Sequence, residues 1–226
     1  IAFLLLLFLL IVRVVSFEWR SKSDAPRWRR TWMWVNAIAS AGIPLIWGVG
    51  LANLLHGVPL DSNGDFSGTF WDLFSGYTVL AGIAFVLVFA FHGAAFLTLR
   101  TTGDLLERAA RAARRLALPA AAVAAAFLIW TIAVAVDRND KDVFPVILPA
   151  VIAITALLVA VYLVYAGKIG LAFSLTAIGT IAVVATLFTG LYPRVMVSSP
   201  DFGNSLTVDN ASSEHYTLEV LSVVAL

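Results

Sequence analysis

The sequence predicts an all-α fold, a polytopic bundle of transmembrane helices, and three observations lead to it. Of 226 residues, 61% are hydrophobic and 13% charged, with a mean hydropathy of +0.92, whereas a soluble domain is about half apolar and a quarter charged. Several apolar runs reach the length of about 20 residues that crosses a hydrocarbon core. These runs are continuously apolar, without the period-two alternation of a membrane β-barrel.

The predicted spans follow in chain order. Five runs are long enough to cross alone: 32–54, 76–99, 116–136, 143–166 and 170–191. Two shorter runs, 1–16 and 217–226, stand at the ends of the sequence, and we expect each to belong to a longer helix of a longer polypeptide. We therefore divide the chain into a first helix group (1–100), a basic connector (101–115) and a second helix group (116–226).

The connector is itself expected to be helical and to lie at the membrane surface. It contains two acid-to-base pairs with a spacing of four residues, which favour a helix: Asp104 with Arg108, and Glu107 with Arg111. Pro119 follows, near the predicted start of the next span.

Lysine and arginine are distributed unevenly between the two sides of the predicted bundle. Eleven of the fifteen lie in the connections 17–31, 100–115 and 167–169, whereas the intervening connections hold three: Arg138, Lys141 and Arg194. Because cytoplasmic loops are enriched in these residues, we expect the first three connections to be cytoplasmic. Tryptophans around the first connection are typical interfacial anchors: Trp19, Trp28, Trp32 and Trp34.

Arg13 is the one lysine or arginine inside an apolar run. A charge within a span is costly, so the side chain either reaches toward the surface or pairs with an acid. The pairing interpretation names Glu18, or an acid on another subunit, along a proton path.

His92 lies inside a predicted span, where an imidazole can relay protons or bind haem. A histidine hydrogen-bonded between helices is the simpler interpretation. His56, at the acidic end, is expected to be solvated. Asn53 and the following Gly57 and Pro59 are expected to end their helix there.

Few residues have the spacing of a chemical site. The sequence has no cysteine, which excludes thiolate ligands, and no His-x-x-x-His or Glu-x-x-His pattern. We therefore predict no catalytic residue, no metal ligand and no cofactor ligand in this chain, and no nucleic-acid partner.

Gly42, Gly48 and Gly50 permit close helix packing, and Pro44 favours a kink.

Four segments together resemble one family. "FEWRSKSDAPRWRRTWMW", "GVGLANLLHGVPLD", "HGAAFLTLRTTGDLLERA" and "LYPRVMVSSPDFGNSLTVDNASSEHYTLEVL" resemble subunit II of the cytochrome bd-type quinol oxidases, in the family's order and over nearly the whole chain. The resemblance implies eight transmembrane helices in two groups of four in the full-length protein, and a bacterial cytoplasmic membrane.

The resemblance also implies the function. In such an oxidase a quinol is oxidised and dioxygen is reduced to water, while two b-type haems and one d-type haem are held by subunit I. Subunit II would stabilise that partner and line a proton path from the cytoplasm involving Arg13 and Glu18. His92 would be an intramembrane polar site, at a position where some relatives have glutamine. Quinone, lipid and small accessory subunits are further expected partners.

Two other classes of function remain open on sequence alone. A secondary transporter would have broken helices around a midplane site. A non-catalytic assembly or anchor protein would share the scarcity of catalytic residues.

Overall fold

The structure, a computed structural model, describes residues 2–139, 142–199 and 201–225. Some residues used in the predictions above lie outside the described part: Ile1, Lys141, Leu226 and the side chain of Arg138. Six long helices account for most of the chain: α1 (Ala2–Arg20), α2 (Pro26–His56), α3 (Gly76–Arg100), α4 (Gly103–Asn139), α5 (Val143–Tyr165) and α6 (Ile169–Leu191).

The prediction of an all-α membrane bundle is confirmed. Helices α2 to α6 are each long and apolar enough to cross a membrane, and they match the five predicted spans. Consecutive helices pack side by side, and α3 also packs on α6. Short links at 21–25, 101–102 and 166–168 define one end of the bundle, which we call the basic end; the other is the opposite end.

Local sequence explains where several helices begin. Pro26 occupies the first turn of α2, where a missing N–H costs nothing. Ser75 and Thr78 form a reciprocal capping box at the start of α3, in which each side chain accepts the other residue's backbone N–H. Gly103 and Gly167, with φ of 62° and 76°, supply the left-handed backbone that the two tight turns need.

Small residues let the helix axes approach closely. A Cβ atom on Gly48 of α2 would stand 2.7 Å from the Ala81 carbonyl oxygen of α3, and one on Gly82 would stand 2.9 Å from the Leu45 carbonyl oxygen. Two apolar clusters form the core, each built by α3, α4, α5 and α6 together, and one of them also by α2. The core therefore runs through helices on both sides of the predicted connector.

Two of the predicted connections between helices have the wrong boundaries. The connection 17–31 shrinks to 21–25, because α1 continues to Arg20 and α2 already begins at Pro26. The connector 101–115 is not a separate surface helix, since α4 runs without a break through Pro119. Ala109, Ala113 and Ala117 are buried along this part of α4 while its arginines are exposed, so packing carries the helix across the expected boundary.

The long segment after α6 folds over the opposite end of the bundle. Strand β1 (Arg194–Met196) pairs antiparallel with β2 (Leu206–Thr207), and two short helices follow, α7 (Val208–Ala211) and α8 (His215–Ala225). The Val197 N–H donates to the Leu54 carbonyl oxygen, and Val197 in turn accepts from the Val58 N–H, each at 3.0 Å. These bonds tie the segment to the end of α2.

Candidate functional site

Arg13 lies on α1, seven residues before the helix ends at the basic end. Its side chain is exposed on the surface of the isolated chain, and it makes no ion pair with any residue that the structure describes. Glu18 is also exposed, and its carboxylate pairs with Lys22 at 3.2 Å. The structure does not bring Arg13 and Glu18 together, and an acid from another subunit stays a prediction.

Three of the four predicted tryptophan anchors form one cluster at the basic end. The rings of Trp19, Trp28 and Trp32 lie with centroids 5.2–6.2 Å apart, and the Trp28 indole N–H donates to the Trp19 carbonyl oxygen at 2.7 Å. Trp34 is 61% exposed and points elsewhere. The cluster fastens α1 to α2 at their shared turn.

His92 on α3 is hydrogen-bonded to a neighbouring helix. Its Nδ1 lies 2.7 Å from the Thr176 hydroxyl oxygen of α6, and its ring stacks on Phe173 with centroids 4.5 Å apart. The geometry matches the simpler interpretation from the sequence, a histidine that joins two helices.

A second polar contact, which the sequence did not reveal, lies toward the opposite end. The Tyr77 hydroxyl on α3 lies 3.0 Å from the Thr131 hydroxyl on α4, and both residues are almost fully buried. His56 stacks on the Tyr77 ring at 5.6 Å and is half-buried, so the expectation of a solvated His56 is wrong. Two polar residues on separate helices gave no periodic signal from which this pairing could be predicted.

Asn53 is buried inside α2, three residues before its end. Its side-chain amide donates to the Val49 and Leu73 carbonyl oxygens, each at 2.8 Å. Asn53 therefore anchors the 3₁₀ turn Phe70–Leu73 to α2. The helix ends at His56, where Gly57 follows with a φ of 99° and donates its backbone N–H to the Asn53 carbonyl oxygen, so the helix end predicted at Asn53 and the Gly57 turn is confirmed.

Asp72 caps that same 3₁₀ turn outside the membrane-spanning helices. Its carboxylate accepts from the Thr69 backbone N–H at 2.6 Å and from the Thr69 hydroxyl at 2.9 Å. These two bonds, the backbone one first, hold the pKa of Asp72 below its ordinary value of 3.8.

An apolar cavity of about 470 Å³ opens between α1, α2 and the 3₁₀ turn. Its lining is aliphatic and aromatic apart from Asn53, and it includes Leu6, Trp47, Phe74 and Met196 but no histidine. The cavity could hold an apolar chain.

The described residues hold few metal-ligating side chains near one another. Within the described residues no three His, Asp or Glu side chains come together as a metal site. His92 Nδ1 is hydrogen-bonded to Thr176, and the His56 ring stacks on Tyr77.

Comparison with known proteins supplies the context for these features. The model of the family "Cytochrome bd terminal oxidase subunit II" matches residues 1–226. The chain is 34% identical to the cytochrome bd ubiquinol oxidase subunit 2 of Bacillus subtilis over 231 residues, which cover the whole chain and 67% of that protein. It is 29% identical to the cytochrome bd-I ubiquinol oxidase subunit 2 of Escherichia coli K12, and 29% identical to a probable cytochrome oxidase subunit 2 of Haemophilus influenzae, covering 68% of each.

Proposed function

Because this chain belongs to the cytochrome bd terminal oxidase subunit II family, we propose that it supports quinol oxidation and the reduction of dioxygen to water as the subunit that holds no haem. The partner would be subunit I, carrying two b-type haems and one d-type haem. The observation that carries this proposal is the family match over residues 1–226, joined to five helices that can span a membrane.

The chain's own contribution is structural support of that partner. Helices α2 to α6 pack into one bundle, yet each leaves large apolar side chains exposed on its outer surface. Lipid covers part of this surface, and we propose that subunit I covers the rest. Because its helices share one core, this bundle can pack as a unit against the neighbouring helix bundle and stabilise the positions of the haems that the neighbour holds.

The proton path is the second part of the proposal. The Arg13 backbone lies about 10 Å from the end of α1, at 1.5 Å per residue, within the apolar part of the helix. A charge that stays at that depth needs water or an acid beside it. We place Arg13 on a hydrated route from the cytoplasmic side, with Glu18 near its entrance.

The transporter alternative gains no support from the helices. A transporter site of the broken-helix type needs unwound backbone at the membrane midplane. Within the described residues α2 to α6 are unbroken, including α2 at Pro44, where the sequence favoured a kink.

A purified complex tests the proposal. A tagged full-length form of this chain should co-purify with a haem protein whose reduced-minus-oxidised spectrum shows b- and d-type haem, and the complex should consume oxygen when quinol is added. An intact complex without haem would refute the oxidase function.

Arg13→Gln tests the proton path in that complex, with Arg20→Gln as the matched control at the helix end. We expect Arg13→Gln to lower oxygen uptake and change its pH dependence while the haem spectrum stays normal, and Arg20→Gln to change neither. Equal behaviour of the two variants would remove Arg13 from the path.

A further inference from the structure

The first turns of α4 carry more positive charge than the neighbouring acids neutralise. Four arginines and two acids stand between positions 104 and 115, and all six residues are exposed. Arg111 pairs with Glu107 at 3.4 Å. Arg114 and Arg115 take part in no salt bridge within 2–139, 142–199 and 201–225, the ranges that the structure describes. Their two charges are therefore not compensated by the described chain.

Arg114 lies beside the end of a membrane-spanning helix. The Tyr165 hydroxyl, on the last residue of α5, donates to the Arg114 carbonyl oxygen at 3.0 Å. The 23 residues of α5 rise about 34 Å, close to a hydrocarbon thickness of about 30 Å, so this helix ends near the edge of the hydrocarbon. The backbone of Arg114 and Arg115 therefore lies near that edge rather than out in bulk water.

Helix geometry directs both arginine side chains toward the lipid headgroups. Side chains on an α-helix lean toward its N-terminus, and α4 begins at the basic end of the bundle. A long arginine stem can therefore follow the apolar surface while its guanidinium group reaches the headgroup layer. A planar guanidinium binds phosphate oxygens through two parallel N–H donors, which suits it to this layer.

The same side of α4 becomes apolar about one turn deeper. Leu118, three residues after Arg115, is 60% exposed, and Ala122, one turn further on, is exposed as well. Basic side chains above an exposed apolar surface match a molecule with an anionic head and hydrocarbon chains, whereas a soluble anion would use the arginines alone. The side of the membrane that the lysine and arginine distribution predicts to be cytoplasmic also carries anionic lipids.

We propose that Arg114 and Arg115 bind the phosphate group of an anionic phospholipid, whose acyl chains lie against α4 at Leu118 and Ala122. The bound headgroup compensates the two charges and fixes the depth of α4 in the membrane. This site depends on α4 and α5 crossing the membrane and not on the proposed oxidase function.

Native mass spectrometry tests the binding by counting the phospholipid molecules that remain on the full-length complex. The delipidated complex is titrated with phosphatidylglycerol, and separately with phosphatidylcholine of the same acyl chains as the neutral probe. We expect Arg114→Gln and Arg115→Gln each to retain one phosphatidylglycerol molecule fewer than the wild type, with no change in phosphatidylcholine. Equal phosphatidylglycerol counts in these variants and the wild type would overturn the inference.

Arg108→Gln is the matched control. Arg108 is an exposed arginine on the same side of α4, seven residues and about 10 Å further from the hydrocarbon, and its substitution removes the same charge. We expect this variant to retain as much phosphatidylglycerol as the wild type. A loss equal to that of Arg115→Gln would show a general effect of charge instead of a site. Inorganic phosphate should not displace the lipid, and displacement would identify a site for a free anion.

Photo-crosslinking tests what lies against the apolar part of the site. A benzophenone amino acid replaces Leu118 in the full-length complex, which is irradiated in native membranes. We expect position 118 to become attached to phospholipid. Attachment to a protein segment instead, from another subunit or from the same chain, would overturn the inference by showing that protein covers this side of α4.

Discussion

Gly48 should be the least replaceable glycine of α2. In Gly48→Ala the new Cβ would stand 2.7, 2.8 and 2.9 Å from three backbone atoms of Ala81 and Gly82 on α3. Ordinary contact begins at 3.4 Å, so α2 and α3 would have to separate by about 0.7 Å at their crossing. Backbone atoms cannot rotate away as a side chain can. Overpacking of this kind costs about 1–3 kcal/mol.

Gly50→Ala is the matched control. Gly50 lies two residues along the same helix, and a Cβ there meets nothing within 4 Å. Both substitutions gain the same helix propensity, about 1 kcal/mol, which cancels when the two variants are compared. The difference between their free energies of unfolding therefore isolates the clash, and we expect about 1–3 kcal/mol with Gly48→Ala the less stable.

Tryptophan fluorescence can follow the unfolding, because the chain has seven tryptophans. The full-length complex would be unfolded at equilibrium in mixed micelles with increasing denaturing detergent, and the midpoints of the two variants compared. Equal midpoints would show that α2 and α3 do not cross at Gly48 as closely as the structure places them.

Three further predictions use the same assay. Tyr77→Phe should lower the free energy of unfolding by about 1 kcal/mol, because it removes the buried bond to Thr131; unchanged stability would contradict that bond. Asn53→Leu should cost about 1–3 kcal/mol, since two carbonyl oxygens lose their donor, and a neutral result would show that the 3₁₀ turn is held otherwise. The lowered pKa of Asp72 stabilises the fold above pH 3.8, and this contribution is lost as pH falls through the folded-state pKa. Asp72→Asn should therefore lose less stability between neutral pH and pH 3 than the wild type, and equal losses would refute the role of the carboxylate.

The sequence predicted the spans well and the helix contacts poorly. Hydropathy is a property of a run of residues, so the five spans could be predicted without knowledge of the neighbouring helices. Gly48 and Gly50 look alike in the sequence, yet one touches the backbone of α3 and the other faces open space. Only the rotation of α2 against α3 separates them, and no local pattern specifies that rotation.

The polar sites divide in the same way. His92 could be singled out because a titratable residue inside an apolar run is unusual, but its partner Thr176 lies 84 residues away on α6. Tyr77 and Thr131 carried no such signal, and Asn53 could be singled out only as part of the end of its helix. Their roles depend on which groups meet across helices, which the tertiary structure decides.

The unbroken course of α4 has a mechanical consequence. Its 37 residues make a rod about 55 Å long, against a hydrocarbon thickness of about 30 Å. Residues of this one helix belong to both core clusters, so the arginine-bearing turns at its start and the packing near its far end are parts of one continuous element. Rocking one half of the bundle against the other would require bending α4 itself.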